Sequence, residues 1–406
     1  CEEYMKHLEK PMLPRDGHFR HPRLISHQNS TEVQGDEECS GRGWLLSGET
    51  PTCHCFYEAS GDKCEGVSER AGRPPRGAVV YLMYGAEHYY KLLRESIVWI
   101  TTSFLQQFPS YAIVVFHSSN FVSATDAQGR PLLDLLRGAT NADIRFIELT
   151  IDYRDIHKER FEANVPNGMP CGNYSVNYLH MGRFFEYTMF RHQALAEFDF
   201  VWRLDADIET RLDIPCDVFD IMVRSHAVFG YYYYSDFDHH NCGVFEGRDA
   251  AFRYAKERNF EPNHLEIMPP QSAYMGFWGV FDMRFWKSAP LLDFGDYIDE
   301  LALAYTNRLG EQVFYALATS LFVSPQALHQ YAGVGPFMHR GYEIIMGKRE
   351  INHFNLIQDD VFCPEASEWD CNEIFVCTER NPRPSALEYD DDNEHMAEET
   401  AYDNVE

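Results

Sequence analysis

The sequence predicts an α/β protein built on a doubly wound, Rossmann-like sheet with helices on both faces. Strand-length runs of apolar residues recur through the middle of the chain, and stretches of helical period separate them. A pair of acids stands immediately past one such run.

Gly77-Ala-Val-Val-Tyr-Leu-Met83 is apolar throughout, as a strand buried on both faces requires. Leu93, Ile97, Ile100 and Phe104 follow at helical spacing. Tyr111–Phe116 reads as the second strand, Leu132–Leu136 as a helix and Ile144–Leu149 as the third strand. Short connections between such elements imply right-handed crossovers and parallel strands. The alternation continues with a helix over Arg183–Ala196 and a strand over Phe198–Leu204, which ends in Asp205 and Asp207. Open α/β sheets bind nucleotides just past the carboxyl ends of their strands, so those acids mark the expected site.

With 45% hydrophobic and 24% charged residues among 406, the chain is long and apolar enough for one large core. The formal net charge is −28, and nine of the acids fall between Glu388 and Glu406, where no Lys or Arg occurs. The remaining −19 still repels a polyanion, which excludes nucleic acid as a partner recognised through bulk charge. The organisation predicted is a polar stem over 1–38, a cysteine-rich segment over 39–66, a large α/β domain over 76–345, an extension over 346–387 and an acidic tail over 388–406. No run approaches the roughly 18–20 apolar residues that span a bilayer. Membrane attachment is therefore expected only through an anchor absent from this chain.

Eleven cysteines and two sequons, at Asn29 and Asn173, point to an oxidising compartment with glycosylation. The expected address is the Golgi or ER lumen, as a type II membrane protein without its anchor, or outside the cell. Cys39, Cys53, Cys55 and Cys64, with Gly61 shortly before the last, resemble an EGF-like module lacking its first and third cysteines. That resemblance implies the pairs Cys39–Cys53 and Cys55–Cys64. The competing reading is a zinc knuckle, for which His54 between two cysteines has poor ligand spacing.

Asp205-Ala-Asp207 carries the sharpest chemistry. Breaking a glycosidic bond to a nucleoside diphosphate leaves growing charge on the phosphates, and a divalent ion bridging them stabilises it. Two carboxylates at a strand end are hard ligands suited to Mn²⁺ or Mg²⁺. The alternative is a pair of turn acids capping the next segment.

Tyr178-Leu-His-Met-Gly-Arg-Phe184, then Phe190-Arg-His192, then Phe198-Asp-Phe-Val-Trp-Arg-Leu-Asp-Ala-Asp207 resembles, in order and spacing, the fungal α-1,2-mannosyltransferases of glycosyltransferase family 15. The likeness covers residues 76–345 and is most specific over 178–230. It implies a GT-A type mixed sheet, GDP-mannose as the nucleotide-sugar donor, Mn²⁺, a glycan acceptor on protein or lipid, and retention of anomeric configuration. It implies that Asp205, Asp207 and His339 hold the metal, with a surface loop position as the competing reading of His339. Tyr178 and Arg183 would line the donor site together with Asp205, with a structural pairing of Arg183 to Glu186 or Glu197 as its competing role, and residues around Tyr81–Gly85, near the first strand, are expected to contact the base. It matches Glu311 to an acid that binds acceptor hydroxyls or takes a proton from one, with helix capping as the competing role. The family's proposed nucleophile falls on Asp282 in one register and on Gly279 in the other. A front-face route guided by the leaving phosphate, with Asp282 a turn acid, stays open beside it.

Other donors such as UDP-sugars remain compatible with the fold. A non-catalytic extracellular sugar-binding or adhesion protein is the reading from a different class.

Overall fold

The computed structural model describes residues 34–331 apart from 85–88, 165–174, 211–213, 215, 233, 237–242, 267 and 269–271, and the strand backbones at 337–339, 361–362 and 378–379. Residues 1–33 of the stem, Asn29, Asn173 and the 388–406 tail lie outside the described residues.

The chain enters through a hairpin, β1 (Gly43–Leu46) against β2 (Thr52–Cys55). Cys39 joins Cys53 and Cys55 joins Cys64. This segment does not stand apart from the domain that follows. Trp44, Leu46 and Phe56 lie in the same apolar cluster as the sheet residues Val80 and Val114. The Trp44 indole donates to the His226 carbonyl at 2.7 Å, and the Phe56 ring stacks on the His226 ring at 3.8 Å. The Ser47 amide donates to the Phe322 carbonyl at 3.0 Å. So short a segment has too few apolar residues for its own core and completes itself on its neighbour.

Seven strands form the central sheet: β3 (Gly77–Met83), β4 (Ala112–His117), β5 (Ile144–Glu148), β6 (Phe200–Leu204), β7 (Phe229–Tyr231), β8 (Trp278–Asp282) and β9 (Leu328–Gln330). Their spatial order is β9-β7-β8-β6-β3-β4-β5. All neighbours are parallel except at β8, which runs antiparallel to β6 and β7. The chain builds outward from β3 to β5 and then returns to lay β6 on the other side of β3. That reversal leaves a crevice at the carboxyl ends of β3 and β6.

Strand alternation separates two cores. Val79, Tyr81 and Met83 join Leu93, Ile97 and Ile100 of α1 (Tyr90–Ile100) on one face. Ala78, Val80 and Leu82 belong to the cluster on the other face, which also holds Val313 and Leu317. Each fully buried large apolar side chain contributes about 1.5–3 kcal/mol, so the apolar runs dominate the folding energy.

The helix expected over Arg183–Ala196 is displaced and irregular. It begins earlier, as α2 (Val176–Arg183), where the Ser175 side chain accepts the Tyr178 amide. It then widens into a π-helical turn over Phe184–Thr188 and finishes in 3₁₀ turns. Phe184 and Met189, like Phe185 and Phe190, are buried pairs five residues apart, a spacing that an i→i+5 turn keeps on one side. α3 (Ala289–Glu300) and α4 (Glu311–Phe322) complete that face.

Candidate active site

Asp205 and Asp207 sit on the tight turn that leaves β6. The Asp205 amide donates to the Phe277 carbonyl at 3.1 Å, and the Ile208 amide returns to the Asp205 carbonyl at 3.2 Å. Asp205 is half-buried and Asp207 buried. Past the turn, Ile208–Thr210 pairs antiparallel with Phe337–His339, and the register sets His339 opposite Ile208. The backbone of the third expected ligand thus lies beside the acid turn, while its side chain lies outside the described residues. The two carboxylates are hard oxygen donors of the kind Mn²⁺ or Mg²⁺ prefers. Among the described residues no third His, Cys, Asp or Glu converges on them.

Glu311 is the first residue of α4, and Gly310, not Glu311, takes the capping position. Its carboxylate accepts from Arg203 Nη2 at 3.0 Å, and the same nitrogen donates to Asp205 Oδ1 at 2.6 Å. Burial pushes the Glu311 carboxyl above its usual range, and the Arg203 charge pulls against that shift. Arg203 was given no role in the sequence reading. The available signal was a cation inside the otherwise apolar run Phe200–Leu204.

Tyr178 is exposed on α2, with its hydroxyl accepting from Arg308 at 2.9 Å and the guanidinium 5.2 Å from its ring. Its exposed ring offers a face on which a sugar can stack.

Three expectations need correction. Tyr81 is fully buried in β3 and does not line an open nucleotide site. Its hydroxyl lies 3.0 Å from Ser96 Oγ, which donates to the Ile208 carbonyl at 2.5 Å. Tyr81 therefore braces the acid turn from behind. Arg183 is not free to grip a diphosphate, because its fork is taken by Asp299 at 2.6 and 3.0 Å. Its remaining nitrogen donates to the Asp152 carbonyl at 2.9 Å. This partner lies 116 positions away, so no sequence signal named it.

Asp282 is not placed to be a nucleophile. In β8 it pairs with Phe200, whereas Trp278 pairs with Leu204, so it lies at the opposite end of the strand from the acid turn. Four residues of strand put about 13 Å between those ends. Asp282 instead caps the Met283–Trp286 helix, accepting the Arg284 amide at 2.9 Å and the Arg284 guanidinium at 2.6 Å. Gly279, the other candidate position, lies opposite Arg203 without a side chain. A Cβ there would come 3.0 Å from the Phe229 and Phe281 rings.

Glu186, the nearer acid that could pair with Arg183, does not take that place. It is buried on the π-helical turn with Oε2 unpartnered among the described residues, and burial and the neighbouring acids Asp299 and Glu311 push its carboxyl well above the usual range.

A mixed sheet with one antiparallel strand, helices on both faces and acids beyond a central strand defines the GT-A class of α/β fold. Core-mannan synthase A from Aspergillus fumigatus, in an Mn/GDP form, superposes with a TM-score of 0.54 at 13% identity, over 80% of this chain and 84% of that one. The mannosyltransferase Ktr4p from Saccharomyces cerevisiae, in complex with GDP, gives 0.53 at 16% identity, over 83% and 85%. The sequence pattern of the glycolipid 2-alpha-mannosyltransferases matches residues 75–346, and the chain belongs to that family. Among curated relatives, probable mannosyltransferase KTR3 of Saccharomyces cerevisiae is 23% identical over 220 residues, 52% of this chain and 53% of that protein. Glycolipid 2-alpha-mannosyltransferase 2 of Candida albicans is 24% identical over 185 residues, 41% and 38%. The chain spans about half the length of the curated relatives it matches, or less.

Proposed function

We propose that the chain is a metal-dependent, retaining mannosyltransferase that moves mannose from GDP-mannose to a glycan hydroxyl, forming an α-1,2 linkage. The observation that carries this reading is the joining of Asp205, at the nucleotide-binding end of β6, to Glu311, at the head of α4, through one buried arginine. Family membership and the Mn/GDP and GDP complexes of similar folds support it.

Asp205, Asp207 and His339 would hold Mn²⁺ or Mg²⁺, which when bound neutralises charge on the departing diphosphate. Glu311 accepts a hydrogen bond from the acceptor hydroxyl and aims its oxygen at the anomeric carbon. Tyr178 offers its exposed face to a sugar ring. With Asp282 at the far end of β8 and no side chain at Gly279, the reading favours a front-face route. The acceptor oxygen bonds to the anomeric carbon on the side from which the phosphate leaves. The phosphate keeps the electron pair of the broken bond and takes the hydroxyl proton. The proposed setting is the Golgi or ER lumen. Among the described residues no helix is long and apolar enough to cross a membrane.

The test is turnover of GDP-mannose and of UDP-sugars by the purified chain, with and without Mn²⁺, and with a mannoside acceptor. Metal-dependent transfer from GDP-mannose, giving an α-linked product, is expected. Transfer from a UDP-sugar alone would replace the donor assignment, and binding without turnover would leave a sugar-binding protein.

A further inference from the structure

We infer that Arg203 is a positioning residue that couples the metal-side carboxylate Asp205 to the acceptor-side carboxylate Glu311, so that neither end of the site is set independently. This rests on the roles proposed above for those two acids. One nitrogen, Nη2, spans both carboxylates at 2.6 and 3.0 Å. The residue is only 3% exposed, so it touches the reaction through its partners and not directly. Its guanidinium carbon lies 4.0 Å from the centre of the Phe185 ring, at the π-helical turn. Nε and Nη1 have no hydrogen-bond partner among the described residues, so packing and the two acids hold the group in place.

The surroundings leave this bridge little slack. A Cβ at Gly276 would come within 2.5 Å of Glu311 Oε1 and 3.2 Å of Arg203 Nη1. On the other side, a Cβ at Gly182 of α2 would lie 3.8 Å from Glu311 Oε2. Glu311 is therefore seated between two positions that lack side chains. The nitrogen that holds Asp205 in place is the one that holds Glu311, so a shift of either acid moves the donor of the other. Charge-assisted hydrogen bonds of this kind are directional and strong when buried.

The experiment measures two constants on the full chain: the Kd for Mn²⁺ in the presence of GDP, by calorimetry or manganese resonance, and the KM for a mannoside acceptor at saturating GDP-mannose. Arg203→Met is expected to raise both by about tenfold or more, the scale of one lost charged contact, and Arg203→Lys to restore part of each. Glu311→Gln should shift the Mn²⁺ Kd in the native background but not in Arg203→Met, since the link is then already cut. A folded Arg203→Met with either constant unchanged overturns the inference. Should Arg203→Met fail to fold, Arg203→Lys and Gly276→Ala decide by the same two constants, because both disturb the bridge while keeping a cation in it. If instead Asp205→Asn leaves Mn²⁺ binding intact, or Glu311→Gln leaves the acceptor KM intact, the underlying roles fail and not the coupling.

Discussion

Nε2 of His54 lies 3.1 Å from Oδ2 of Asp282, across 228 positions of sequence. This contact ties the cysteine-stapled hairpin to the end of β8 farthest from the acid turn. Arg284 closes it, donating at 2.6 Å to the same carboxylate oxygen and at 3.3 Å to the Cys55 carbonyl. Asp282 serves the join between segment and domain.

Asp282→Ala should therefore lose stability and keep transfer. Removing the buried acid takes a charged partner from the half-buried Arg284 and the cap from the Met283–Trp286 helix, changes that typically cost about 1–3 kcal/mol. Denaturant unfolding measures the loss, and turnover per folded molecule should stay near the native value. A stable variant without transfer would return Asp282 to the reaction.

The stapled segment should stabilise the whole catalytic domain. Opening one small native disulfide loop typically costs about 2–4 kcal/mol. Because Trp44 and Phe56 sit in the common core, replacing Cys55 and Cys64 by Ser should lower the melting temperature of the entire domain in a single transition. Two separate transitions would show that the segment folds by itself.

Asp205→Asn and Asp207→Asn should each lower transfer by roughly 10²–10³-fold, through lost stabilisation of the leaving phosphates. Asp205 pairs with the buried Arg203 and Asp207 is itself buried, so both changes should also cost stability. Parallel measurement of Mn²⁺ binding and of unfolding separates the two effects.

The stability that His180 and His264 contribute should fall as the pH drops from about 6.5 toward 4, while Glu186 and Glu311, whose carboxyls lie above their usual range, take up protons on folding and act in the opposite sense. Burial, with the charge of Arg183 adding to it, holds His180 down to about 4, and burial likewise holds His264 down to about 4 against a hydrogen bond to the Val323 carbonyl. The unfolded chain binds those protons near pH 6.5 and the folded chain near 4, so the unfolded state is favoured in between. The stabilisation is complete above 6.5 and is lost progressively down to 4, by on the order of 3 kcal/mol per histidine. In urea unfolding at pH 7 and pH 5, the His264→Gln variant should lose less stability on acidification than the native chain does.

The placement of several candidate site residues was readable because its signals are local. The acids after an apolar strand, and Glu311 at the start of a helical stretch, lie on single elements whose geometry follows from residue period. Tyr81 illustrates the limit. The sequence places it near the crevice, but strand alternation and the packing of Ser96 turn it into the core. For Asp282 the error came from register. Direction along β8 depends on its antiparallel pairing with β6, which a linear match of motifs does not contain.

By itself, the sequence determined the α/β class, the strands Gly77–Met83 and Phe200–Leu204, the acid turn and the cysteines of the stapled hairpin. These follow from side-chain volume, hydrophobic period and spacing along the chain. Only the tertiary structure decided that Asp299 occupies Arg183, that Asp282 faces His54, and that Arg203 joins Asp205 to Glu311. A buried charge takes the partner that packing brings within about 3 Å, and that partner can come from any distance along the chain.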